Sequence, residues 1–170
     1  LSKLDNFKKK CFYLTDERIT LNKKETNSSM INNLFIKKKK IDLKSFNHEF
    51  TSNDKIISNY RPIPKKFDLL ILSFGVDGHI ASIFFDNRKV KKFKKFEITK
   101  HKAIKRISIS RNVLKNSKNI QIICATYKRG ILLKKNFLKN KGIFYLFKDN
   151  LTIVFNKEAF QGFIKWKKKF

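Results

Sequence analysis

The stretch FDLLILSFGVDGHIASIFF, residues 67–85, is apolar for most of its length and is broken at its centre by a turn holding two glycines, an aspartate and a histidine. FDLLILS has continuous apolar residues that do not alternate, so a strand buried on both faces is expected there. Gly75 and Gly78 relax the backbone limits that a Cβ imposes, which suits a sharp turn. HIASIFF then reads as one or two turns of helix. A strand, a glycine turn and a helix start together form the edge at which open parallel sheets present polar groups to a ligand.

Outward from this stretch the same alternation recurs. CFYL (11–14) reads as a buried strand whose end carries the polar TDER, and SSMINNLFIKKK places Met30, Ile31, Leu34 and Phe35 at helical spacing, with Asn27 or Ser28 as N-cap. Residues 37–66 are polar and weakly patterned, and RPIP (61–64) forces extended backbone ahead of the central strand. RISIS (106–110) alternates like a strand, RNVLKNSK is a short helix candidate, and IQIICAT is another buried strand. YKRGILLKKNFL is helical in spacing, LTIVF (151–155) gives a last strand and NKEAFQGFIKW a last helix. The expectation is one α/β domain over residues 1–170: a three-layer, mostly parallel, Rossmann-like sheet with helices on both faces.

Composition limits the function classes. The chain has 170 residues, 41% hydrophobic content and 18 phenylalanines, enough for one hydrophobic core. The longest apolar run is interrupted by Asp68, Asp77 and His79, so no membrane span is expected. LSKLDNFKKK lacks the apolar centre of a signal peptide, and a cytoplasmic location is expected. The net charge of +28 invites a nucleic-acid reading, but the lysines are spread along the whole chain beside abundant asparagine, isoleucine and phenylalanine. These residues share A/T-rich codons, so genome bias accounts for the excess and no specific nucleic-acid partner is expected. Cys11 and Cys124 sit in separate apolar runs and are expected as buried thiols. His48, His79 and His101 have no zinc-ligand spacing, so neither a metal nor a cofactor is expected.

Three strands end in charged or titratable groups: TDER (Thr15, Asp16, Glu17, Arg18), GVDGH (Gly75, Asp77, Gly78, His79) and ATYK (Thr126, Lys128). If the strands are neighbours, carboxylates, an imidazole and cations converge at one sheet edge. Taken singly, each group has a plainer reading as solvated surface or as a structural histidine. At the expected helix start His79 would be a proton acceptor.

The set YLTDER, TNSSMINNLF, FDLLILSFGVDGHIASIFF, RISIS and CATYKRGILL resembles the 6-phosphogluconolactonase family, in order and spacing, over nearly the whole chain. The resemblance implies hydrolysis of 6-phospho-D-glucono-1,5-lactone in the oxidative pentose phosphate pathway. In it His79 is the general base and Asp77 orients water or substrate. It also implies that Arg18 and Lys128 bind the 6-phosphate, and that Asp16, Asn27, Gly78 and Ser82 shape the pocket. The partner implied is a small sugar-phosphate lactone, with nothing implied about oligomeric state. Glucosamine-6-phosphate deaminases of the same superfamily carry a glutamate five residues after the histidine. Phe84 stands at that position, and Ser82-Ile83-Phe84 follows the lactonase form.

Departures from the pattern are Ser73 for a glycine, Phe85 for a proline, Ser108 for a threonine and Cys124-Ala125 for threonine-glycine. Relatives also carry a first strand and a glycine-rich phosphate loop ahead of the DER strand. None of the five glycines here (Gly75, Gly78, Gly130, Gly142, Gly162) belongs to such a loop, so a fold lacking that N-terminal strand and its helices is expected. The alternatives are a deaminase-like sugar-phosphate enzyme, an inactive remnant and a basic nucleic-acid-binding protein.

Overall fold

The computed structural model describes residues 11–20, 22–37, 46–47, 64–85, 90–92, 95–101, 103–147 and 150–166. The first elements are β1 (Phe12–Tyr13), β2 (Asp16–Ile19), a 3-10 turn at Lys23–Glu25, α1 (Asn27–Ile31) continued by a π-helical turn over Asn32–Ile36, and β3 (Phe46–Asn47). Then come β4 (Leu69–Ser73), β5 (Val90–Lys92), β6 (Phe96–His101), β7 (Ile104–Ile109) and α2 (Arg111–Lys115). The chain closes with β8 (Asn119–Cys124), α3 (Tyr127–Leu138), α4 (Ile143–Leu146), β9 (Leu151–Phe155) and α5 (Lys157–Lys165).

The α/β class is the one expected from the sequence. Strands β4, β8 and β9 form a parallel sheet in that order, with Leu70 opposite Ile120 and Ile122 opposite Ile153. The strand–helix–strand path from β8 through α3 to β9 is the crossover that parallel pairing requires. Beside it stands a four-stranded antiparallel sheet, β2-β7-β6-β5, which the sequence reading merged with the parallel one. Alternation in RISIS reports a half-buried strand and not its direction, so the two ladders look alike in sequence. β1 pairs in parallel with β3.

One hydrophobic cluster unites the layers. Leu70 and Leu72 of β4 and Ile120 and Ile122 of β8 meet Val113 and Leu114 of α2, Leu133 of α3, Ile143 of α4 and Ala159 of α5. Across β4, Ile71 and Ser73 face a cleft whose other walls include Met30 and Ile31 of α1. Helices α3 and α5 cross with almost no gap. A Cβ on Gly130 would stand 2.0 Å from the Ala159 carbonyl oxygen, and one on Gly162 would stand 2.1 Å from that of Tyr127.

Local expectations met several corrections. β4 is not buried on both faces: it alternates, with Leu70 and Leu72 each 2% exposed but Leu69 at 48% and Ile71 at 56%. Residues 80–85 form no helix. Isolated bridges join Phe74 to Ile80 and Ile80 to Ile83, and Ala81 adopts a left-handed φ of 49°, which a helix cannot contain. The α1 cap is Thr26, whose hydroxyl accepts from the Ser29 amide at 3.1 Å, one residue before the expected cap. Cys124 is buried, but Cys11 is exposed. Ser73 ends a strand and is not among the left-handed non-glycine residues, so its side chain costs no backbone strain. Residues 61–63 of the RPIP segment lie outside the described residues. Among those described, no helix is long and apolar enough to cross a membrane.

Candidate active site

β4 ends at Ser73 and the chain turns at once. The Gly75 amide donates to the His79 carbonyl at 2.8 Å and the Gly78 amide to the Gly75 carbonyl at 3.1 Å, closing a tight loop. Gly78 has φ of +88°, a region L side chains avoid. Gly75 is required for a different reason: a Cβ there would lie 2.3 Å from two atoms of the His79 ring. The loop therefore seats the imidazole directly on the Gly75 backbone.

Within this turn Asp77 Oδ1 accepts from the His79 amide at 3.3 Å and pairs with His79 Nδ1. A carboxylate at Nδ1 fixes the proton on that nitrogen and leaves the Nε2 lone pair for chemistry. Burial works to raise the Asp77 carboxyl, but the hydrogen bonds and charge of His79 outweigh it and hold the group below its ordinary value of 3.8. No helix follows His79, so the expected helix start is absent and the contact with Asp77 is what orients the imidazole. The other support is aromatic. The His79 ring lies 4.8 Å from that of Phe84, which stacks on His101 at 4.7 Å. Arg111 anchors Phe84 in turn, donating to its carbonyl at 2.9 Å while Glu97 holds the same guanidinium.

The second wall comes from β2. Ser82 Oγ donates to Asp16 Oδ2 at 2.6 Å, tying the loop after the turn to the antiparallel sheet. Burial pushes the Asp16 carboxyl up, partly opposed by the Ser82 hydrogen bond and the Arg106 charge. Asn27 Nδ2 donates to the Asp16 carbonyl at 2.9 Å. Glu17, only 1% exposed, accepts the backbone amides of Arg18, Asn27 and Ser28, each at 2.7 Å, and so ties the start of α1 to β2.

Between these walls lies a cleft of about 440 Å³ whose lining includes Asp16, Asn27, Gly75, His79 and Arg129. That volume is in the range of small-molecule sites. Asp77 and Gly78 line a second hollow of about 540 Å³ with Phe84, Asn136 and Tyr145. The structure thus brings together Asp16, Asn27, Ser82, Asp77 and His79 of the expected set. Arg18 donates from Nη1 to the Glu25 carbonyl and does not line the 440 Å³ cleft. Lys128 is exposed and does not line it either.

Four residues escaped the sequence reading. Glu17 lay within DER but passed for surface, since only the strand register reveals that it points inward. Arg106 sits directly across from Arg18 in the β2–β7 ladder; burial and then the Arg18 charge lower its pKa, and its Nε is buried without a hydrogen-bond partner. Arg129 has the same buried, unpartnered Nε. Arg111 was legible only as part of a short helix.

The sequence pattern of the glucosamine-6-phosphate isomerases/6-phosphogluconolactonase family matches residues 2–140. Among solved structures, 6-phosphogluconolactonase from Thermotoga maritima superposes with a TM-score of 0.70 at 24% identity, covering 89% of this chain and 74% of that one. The 6-phosphogluconolactonase from Plasmodium vivax gives 0.63 at 19% identity, covering 91% and 71%. A monomeric glucosamine-6-phosphate deaminase gives 0.66 at 14% identity, covering 94% and 78%. At these identities the likeness is one of fold. No curated protein sequence matches the chain.

Proposed function

Because the chain belongs to the family of glucosamine-6-phosphate isomerases and 6-phosphogluconolactonases, we propose that it hydrolyses 6-phospho-D-glucono-1,5-lactone to 6-phospho-D-gluconate, a step of the oxidative pentose phosphate pathway. The observation that carries this reading is the Asp77–His79 pair, whose histidine lines a cleft of small-molecule size. His79 Nε2 takes a proton from water as the water oxygen bonds to the lactone carbonyl carbon. The tetrahedral intermediate then collapses, the ring C–O bond breaks, and the proton held on His79 passes to the departing ring oxygen. Asp77 keeps the imidazole in the required tautomer and balances its transient charge.

Phe84 supports the lactonase reading over the deaminase one. Its ring packs against His79, and phenylalanine has no carboxyl for the proton transfers of ring opening and deamination. The phosphate of the substrate is met from the first turn of α3, which stands at the edge of the cleft. Purified protein is expected to accelerate lactone hydrolysis above the spontaneous rate, followed by proton release. His79→Ala is expected to lower kcat by about 10²–10⁴-fold, the usual worth of a general base. A wild-type rate equal to the spontaneous one defeats this reading.

A further inference from the structure

The first turn of α3 places two cations at a helix N-terminus and no acidic residue, an arrangement the helix dipole disfavours unless an anion is nearby. Their positions on the helix differ. Gly130 is buried against Ala159 of α5, and Leu133 is fully buried, so the rotation of α3 about its axis is fixed. Successive residues are separated by about 100° around a helix, so Lys128 and Arg129 leave it in different directions. Lys128 is exposed, whereas Arg129 lines the cleft with His79, Asp16 and Asn27. Buried without a hydrogen-bond partner, Arg129 Nε is a donor that has left water and gained nothing in return. Its charge also reaches Cys124 at the end of β8, where it partly opposes the upward push of burial on that thiol.

We propose that Arg129, and not Lys128, is the α3 side chain that binds the anionic group of the substrate. This rests on the sugar-phosphate reading above and names the residue that confers it. An arginine there presents a planar fork to phosphate oxygens, and its Nε–H finds an acceptor that none of the described residues supplies.

Two measurements test this. The first is calorimetric titration of the wild type, Arg129→Gln and Lys128→Gln with inorganic phosphate. Arg129→Gln is expected to weaken binding by about 10- to 100-fold, as loss of a charged hydrogen bond does, with Lys128→Gln within about twofold of wild type. The second is hydrolysis of the phosphorylated lactone and of unphosphorylated glucono-1,5-lactone. Arg129→Gln should raise KM for the first with little change in kcat, leave the second unchanged, and be partly rescued by Arg129→Lys. Loss of phosphate binding in Lys128→Gln alone, equal damage to both lactones, or no phosphate binding by the wild type overturns the assignment. If the wild type binds phosphate through Arg129 yet does not hydrolyse the lactone, the anion site stands and the lactonase reading falls.

Discussion

Gly75 controls the position of the proposed base more directly than any residue bonded to it. The His79 ring occupies the volume that a side chain at residue 75 would need, at 2.3 Å from the ideal Cβ. Gly75→Ala must therefore push the ring off both Asp77 and Phe84, while the β4 core at Leu70 and Leu72 is left intact. A displacement near 1 Å costs about 100-fold in rate when it separates a base from its target. Gly75→Ala is accordingly expected to lose about that factor in kcat while keeping wild-type secondary structure by circular dichroism; full activity in the variant would show that the ring has room to move. At this scale much was legible. The glycine punctuation of GVDGH singled out Asp77 and His79 before any contact was visible. What could not be read was which of the adjacent cations lines the cleft, because Lys128 and Arg129 differ only in helix phase, and that phase is set by Gly130 against α5.

Among elements, the α3–α5 crossing decides where the first turn of α3 stands. Gly130 and Gly162 bring the two backbones into contact, each filling the place where the partner's carbonyl would strike a side chain. Gly162→Ala inserts a methyl group 2.1 Å from the Tyr127 carbonyl oxygen, which belongs to backbone and cannot rotate away. The expected cost is about 3 kcal/mol, the upper part of the overpacking range. For a chain of this length that lowers Tm by about 6–12 °C, measurable by calorimetry. Because α3 must move outward, phosphate affinity should fall with it. An unchanged Tm would mean the helices separate freely. The sequence revealed both helices by their spacing but not their proximity, since a glycine in a helical pattern looks the same whether it weakens the helix or admits a neighbour. The residues after His79 misled for a related reason. IASIFF is apolar enough for a buried helix, and the left-handed backbone at Ala81 that excludes one leaves no mark on the residue type.

For the molecule as a whole, the site is held at a cost to stability that pH exposes. The Asp16 carboxyl is raised above its ordinary 3.8, foremost by burial, so the folded chain binds that proton more tightly than the unfolded one. Folding stability is therefore lost as pH rises from that value, and the penalty is complete once the folded pKa has been passed. Asp77 has the opposite sign: its lowered pKa contributes stability above 3.8 that disappears as pH falls. Asp77 is common to parent and variant, so comparison with Asp16→Asn isolates Asp16. The variant is expected to melt higher than the parent at pH 7 and to match it at about pH 3, where both side chains are uncharged. A variant less stable than the parent at pH 7 would mean the charged form is the one the fold favours. A gain in stability accompanied by a loss of lactone hydrolysis would place Asp16 among groups kept for function at the expense of folding.

The Ser82–Asp16 hydrogen bond joins residues 66 positions apart, one in the antiparallel sheet and one just beyond the end of a parallel strand. No local segment can form it. Its loop-closure entropy, which grows with the logarithm of the intervening length, must be offset by the other contacts between and within the sheets. The cleft is thus a product of both sheets together, and neither half of the molecule contains all of its walls. Recovery of the proposed lactone hydrolysis after dilution from denaturant is consequently expected to report the docking of the two sheets and not the formation of helices or strands alone.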